Sequence, residues 1–76
     1  MKKIIGLKKV TRQINARACG DCYTHTIFLN DDVLSITEGV PILTISPGRV
    51  YTSASMIAGY LQTALISKGF GPCQIS

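Results

Sequence analysis

The sequence predicts an α+β fold: a small antiparallel β-sheet of about four to five short strands, with one C-terminal α-helix packed on it. Three observations favour this class. Residues 23–29 alternate between two faces, turn residues recur between positions 30 and 48, and the apolar residues of 57–65 are spaced by three or four. A chain of 76 residues is short for a domain, so residues 1–76 are predicted to form one unit.

The first predicted strand covers residues 3–12, where Ile5 and Leu7 would share one face and Val10 the other. Residues 13–21 are ambiguous, since the alternation continues and then breaks at the cysteine-containing turn. Residues 23–29 are the clearest strand, with Ile27 and Leu29 on one face and threonines on the other.

Turn residues divide the middle of the chain into further short strands. Asn30-Asp31-Asp32, Glu38-Gly39 and Pro47-Gly48 have the composition of turns. Pro41 has no amide hydrogen to donate, so the strand that contains it is expected at a sheet edge or close to its own start. The remaining predicted strands cover residues 33–37, 40–46, 49–51 and 73–75.

The predicted helix follows Thr52 and Ser53, either of which is a suitable N-cap. It ends near Lys68 and Gly69, because a cation suits the C-terminal end of the helix dipole and glycine suits the residue after the last turn. Its buried stripe is predicted from helical spacing. The stripe consists of Ile57, Tyr60, Leu61, Ala64 and Leu65.

The helix carries no charged residue between positions 53 and 67, although solvent-facing helix surfaces normally do. Charged residues also make up 16% of the whole chain, compared with about 25% in typical soluble proteins. Both observations predict a homo-oligomer in which this helix packs against a second subunit. A polar, uncharged helix surface in water is the alternative. The predicted interface consists of Met56, Gly59, Thr63 and Ile66.

The positive charge is concentrated at the start of the chain, where six of the eight basic residues precede the first acid, Asp21. This distribution suits an anionic partner, although lysines also serve solubility and edge-strand protection. Glycine amides, an arginine and hydroxyl groups before a helix start are typical of anion sites. Ordinary capping and solvation are the alternative. The predicted anion site consists of Arg12, Arg17, Arg49, Tyr51, Thr52 and Ser53.

The spacing of the cysteines is compatible with a structural zinc site. Cys19 and Cys22 flank a glycine-containing turn, and His25 and Cys73 would complete a Cys₃His set. Buried free cysteines and a histidine in a polar cluster are the alternative. An odd number of cysteines without an export signal argues against a disulfide framework, and a strand after Cys22 argues against thiol catalysis. No other cofactor is expected.

Composition and motifs predict a binding protein and not an enzyme. The chain has one histidine, its acids lie at turns, and no phosphate-binding loop of known spacing is present. Its apolar runs are too short to span a membrane, which predicts a cytoplasmic protein without a membrane partner.

The expected partner is a nucleotide-type anion, a nucleic acid or an acidic protein surface. Compact basic chains of this kind are typical of phages and mobile elements, which suggests an inhibitor of a host defence complex, acting in the host cytoplasm. A zinc-stabilised nucleic-acid-binding protein and a structural subunit of a virion-like assembly are the alternatives.

Overall fold

The computed structural model of this chain describes residues 2–17, 24–45 and 54–76, with residues 16, 17 and 54 described by their backbone alone. The fold is α+β, as the sequence predicts, and α2 packs on the strands. The described elements, in chain order, are β1 (Lys2–Ile4), α1 (Leu7–Arg17), β2 (His25–Asn30), β3 (Val33–Ser35), β4 (Val40–Ile45), α2 (Ala54–Ser67) and β5 (Cys73–Ile75).

The prediction of a strand over residues 3–12 is wrong, and the described chain has two helices where the sequence predicted one. The extended segment ends at Ile4, and Leu7–Arg17 is helical. Leu7, Val10 and Ile14 are buried at positions i, i+3 and i+7, which is the spacing of one helix face. Alternation placed Val10 beside the cations, whereas the helical period separates the apolar residues from them.

The sheet over β2, β3 and β4 is antiparallel, in the order β3-β2-β4. Asp31 and Asp32 form the two-residue turn between β2 and β3, with φ of 51° and 64°. This pair of left-handed residues is the hairpin turn whose twist matches that of the strands. Pro41 is the second residue of β4, which lies at one end of this order, as its missing amide hydrogen predicts.

A second, parallel pair joins the two ends of the described chain. β1 pairs with β5 from Lys2↔Cys73 to Ile4↔Ile75, so the strand predicted over residues 73–75 is confirmed. The pair is attached to β3, because the Ile5 N–H donates to the Asp32 carbonyl at 3.0 Å and the Leu34 N–H donates to the Ile5 carbonyl at 2.8 Å. The strands therefore form one connected layer.

Residues from both ends of the described chain fix the start of α1. The Gly6 carbonyl accepts the Val10 N–H at 3.0 Å, and the Ser76 carbonyl accepts the Leu7 N–H at 3.1 Å. Gly6 has φ of 106°, and a Cβ there would lie 3.0 Å from the Leu34 carbonyl oxygen. Glycine is therefore required at this position.

One core holds these elements together, and each helix contributes one face to it. Tyr60, predicted in the buried stripe of α2, is instead 45% exposed, because Ile57, Leu61 and Leu65 centre the buried face about 100° away from it. The side chains in this core that are less than 2% exposed are Ile4, Val10, Ile27, Ile57, Leu61 and Leu65. Neither described helix has the length and hydropathy that crossing a membrane requires.

Thr11 carries a hydroxyl group on the buried face of α1 that is unsatisfied within the described chain. Its side-chain oxygen is buried and has no hydrogen-bond partner among the described residues. We expect Thr11→Val to raise the free energy of unfolding by about 1–2 kcal/mol, because it removes an unsatisfied hydroxyl and preserves the side-chain shape. Urea unfolding measures this change, and Thr11→Ser, which keeps the hydroxyl, is the control. A less stable valine variant would show that the hydroxyl is satisfied.

Candidate functional site

The outer face of α1 carries three cations and no acid. Lys8, Lys9 and Arg12 are all exposed, and they fall within about 100° of one another around the helix axis, opposite the buried residues of α1. We call these three residues the basic face. Its side chains share one side of a regular helix that the core holds in place, so they can contact a single partner together.

The first turn of α1 contains two of these cations in an unfavourable place. Lys8 and Lys9 lie next to the positive end of the helix dipole, and the first turn has no acidic residue. Gly6, which precedes the helix, has no side chain that could accept the N–H groups of this turn. The two lysines therefore do not stabilise the helix that carries them. An anion bound against them would stabilise this helix, because it would oppose the positive charge at the N-terminal end.

The two other N-terminal lysines, Lys2 and Lys3, lie on β1 and are not part of the basic face. Lys2 donates to Asp32 across 3.0 Å between Nζ and Oδ1, and this hydrogen bond and the opposite charge raise the pKa of Lys2. Its charge is therefore compensated within the fold. Lys3 is exposed on β1.

Among the residues of the predicted anion site, Arg12 alone has a side chain that the structure describes. Arg12 is exposed in the middle of the basic face. Arg17 is the last residue of α1, and its side chain is outside the described part of the chain. The other four residues lie outside the described part of the chain, in the segment before α2. They are Arg49, Tyr51, Thr52 and Ser53. Their part in an anion site therefore stays a prediction.

Two grooves on the described surface each combine one lysine with at least one carboxylate. The larger has a volume of about 420 Å³ and is lined by the Lys2–Asp32 pair together with Asp31. The smaller, of about 290 Å³, places Glu38 in the same groove as Lys9. A small anion would meet a carboxylate in either groove, so the exposed helix surface is the better anion-binding candidate.

The predicted zinc ligands are divided between described and undescribed residues. Cys73 is buried, and its Sγ lies 3.4 Å from the Gly71 carbonyl oxygen, within reach of a hydrogen bond. His25 is the first residue of β2 and is half-buried. Residues 2–17, 24–45 and 54–76 contain no group of three or more side chains that could hold a metal. Cys19 and Cys22 lie outside these ranges, so the zinc site stays a prediction.

The outer face of α2 gathers the four residues of the predicted interface. Met56 is 43% exposed and Ile66 52% exposed, and Gly59 and Thr63 between them are also exposed. The four positions lie within about 80° around the axis, centred opposite the buried residues of the helix. We call them the uncharged face. The Thr63 hydroxyl donates to the Gly59 carbonyl across 3.3 Å, so its donor is used inside the helix.

Sequence reasoning missed Lys8 and Lys9 as site residues, because the strand assignment distributed them over two faces. The signal that identifies them is the spacing of Leu7, Val10 and Ile14, combined with residues of good helix propensity between them. A comparison of the chain with protein-family models, curated proteins and solved structures finds no match.

Proposed function

We propose that this chain is a non-enzymatic, homo-oligomeric binding protein that holds an extended anionic partner against the basic face of α1. The observation that carries the proposal is the grouping of Lys8, Lys9 and Arg12 on one exposed helix side without an acid. The chain has a formal net charge of +4, so its overall field also attracts an anion.

The shape of this surface supports an extended partner more than a small ligand. Small molecules bind in concave sites that cover most of their surface. The basic face is on the convex outer side of a helix, and both described grooves place carboxylates beside a single lysine. A nucleic-acid backbone or an acidic protein surface presents several negative charges along a line, which matches three cations on one helix.

In the cell, such a surface would act by occupying a charged region of its partner. A stoichiometric inhibitor of a host defence complex, encoded by a phage or mobile element and acting in the host cytoplasm, is the role we propose for it. Inhibition by occupancy requires no catalytic group, which agrees with a surface made of lysine and arginine.

Binding to a short DNA duplex of arbitrary sequence tests the proposal. We expect affinity to fall steeply with salt, because each phosphate that a cation contacts contributes about 0.9 to the slope of log K against log salt. The triple variant Lys8→Gln, Lys9→Gln, Arg12→Gln should reduce that slope by about three. Glutamine has a similar helix propensity, so α1 should be retained. Fluorescence anisotropy at several salt concentrations measures the slope.

Lys68→Gln is the matched control, since it removes one charge from an exposed lysine outside α1 and should leave the slope unchanged. Polyglutamate, tested in parallel, distinguishes an acidic protein surface from a nucleic acid. The proposal is contradicted if neither polyanion binds at low salt, or if the triple variant binds them as the unmodified chain does.

A further inference from the structure

We infer that the uncharged face of α2 binds the same face of a second copy of this chain. The two helices are antiparallel, and the two-fold axis crosses the outer face at the level of position 61 along the helix. The inference specifies the homo-oligomer of the proposed function and is independent of the anionic partner. It concerns Met56, Gly59, Thr63 and Ile66, which lie together on one exposed side of the helix.

The arrangement of side-chain sizes along this face identifies the partner as a second copy. Met56 and Ile66 are equally distant in sequence from position 61, and so are Gly59 and Thr63. In a two-fold interface, residue i of one copy contacts residue j of the other, and j contacts i. An antiparallel pair would therefore place Met56 against the partner's Ile66, and Gly59 against the partner's Thr63. Large side chains would meet at both ends and small ones in the middle.

The two central positions are suited to close contact between helices. A Cβ built on Gly59 would meet nothing within 4 Å, so packing within the described chain does not require glycine there. Glycine is also the poorest helix former after proline. A second helix backbone approaching this point would require it. Thr63 can be buried in such a contact, because its hydroxyl already donates to the Gly59 carbonyl.

Charge favours the same partner. Two copies with a formal net charge of +4 repel each other, and the repulsion is weakest where neither copy presents a charge. No charged residue occurs anywhere in α2. An acidic partner would gain nothing at this face and would bind the lysines instead, whereas a second copy can approach here without desolvating a charge.

The exposed apolar area sets the expected strength. Tyr60 adjoins the uncharged face along the helix and is 45% exposed, which adds on the order of 100 Å² of ring surface to it. Specific interfaces bury at least about 1,000 Å² in total, so a contact between two helices of this length is expected to be small and weak. We therefore expect association at micromolar concentration.

Charge complementation between two variants tests the interface and its direction. Met56→Lys and Ile66→Glu, at the ends of the contact where large side chains meet, should each weaken self-association by at least about tenfold, because each places an unpaired charge in the contact. Mixed together, they should associate again, since the lysine of one copy would face the glutamate of the other. Sedimentation velocity of each variant, of the mixture and of the unmodified chain measures the mass, which should approach twice 8.2 kDa in the associating samples.

Thr44→Glu is the control, because it introduces the same glutamate at an exposed position of β4, outside the uncharged face, and should leave association unchanged. Circular dichroism checks that every variant is folded. The inference is overturned if the unmodified chain stays at 8.2 kDa at hundreds of micromolar, if the single variants associate normally, or if the mixture fails to associate. None of these samples contains DNA or polyglutamate, so a failure here is distinct from a failure of polyanion binding.

Discussion

Leu61→Ala is expected to lower the free energy of unfolding by about 2–5 kcal/mol. Leu61 is fully buried in the middle of α2, so the substitution leaves a cavity where the helix meets the rest of the core. A domain of this length is stabilised by about 4–11 kcal/mol in total, so much of that stability would be lost. Urea unfolding followed by circular dichroism measures the change in free energy. In thermal unfolding, the same change lowers Tm by roughly 10 °C or more.

Ile66→Ala is the matched control on the same helix. Ile66 is 52% exposed, so its truncation should change stability by less than about 0.5 kcal/mol at concentrations where the chain is monomeric. Comparable losses for both variants would mean that the core does not lie where the structure places it.

Gly39→Ala is expected to destabilise the fold by about 3 kcal/mol or more, because it combines backbone strain with a collision. Gly39 has φ of 119°, and an added Cβ would lie 2.6 Å from the carbonyl oxygen of Leu29. The two nearest atoms, the carbonyl oxygen and carbon of Leu29, belong to the backbone, and Leu29 pairs with Val40 directly after the glycine. The collision can therefore be relieved only by moving β4 away from β2. Thermal unfolding measures the loss.

Gly59→Ala is the control for this substitution and should have the opposite sign. Its Cβ position is open and its backbone is helical, so alanine should stabilise the monomer by about 1 kcal/mol. A Gly39→Ala variant as stable as the unmodified chain would show that the turn before β4 can relax, contrary to the geometry described here.

The parts of the fold that depend on local pattern could be predicted from the sequence. Alternation identified β2, and spacing identified α2 with its buried Ile57, Leu61 and Leu65. The pairing of β1 with β5 could not be predicted, because it joins the two ends of the described chain and no local signal encodes it. The N-terminal error came from a segment in which both periods fit a few residues.

The two helix faces could be predicted from the sequence to different degrees. The uncharged face follows from composition, since the absence of charge in a helix is visible without a structure. The basic face required the correct period, because Lys8 and Lys9 are adjacent in sequence and share a face in a helix but not in a strand. Arg12 was identified from its charge alone, and its placement among two lysines emerged with the helix.

An extended anion bound along the outer face of α1 would perturb the backbone amides of that helix, so an NMR titration with the DNA duplex at low salt locates the bound anion. We expect the largest shifts at the amides of Lys8, Lys9, Arg12 and their neighbours in α1, and we expect these shifts to disappear in the triple glutamine variant. Shifts centred on β4 or on the groove of the Lys2–Asp32 pair, or an unchanged spectrum with both the duplex and polyglutamate at low salt, would contradict this binding mode.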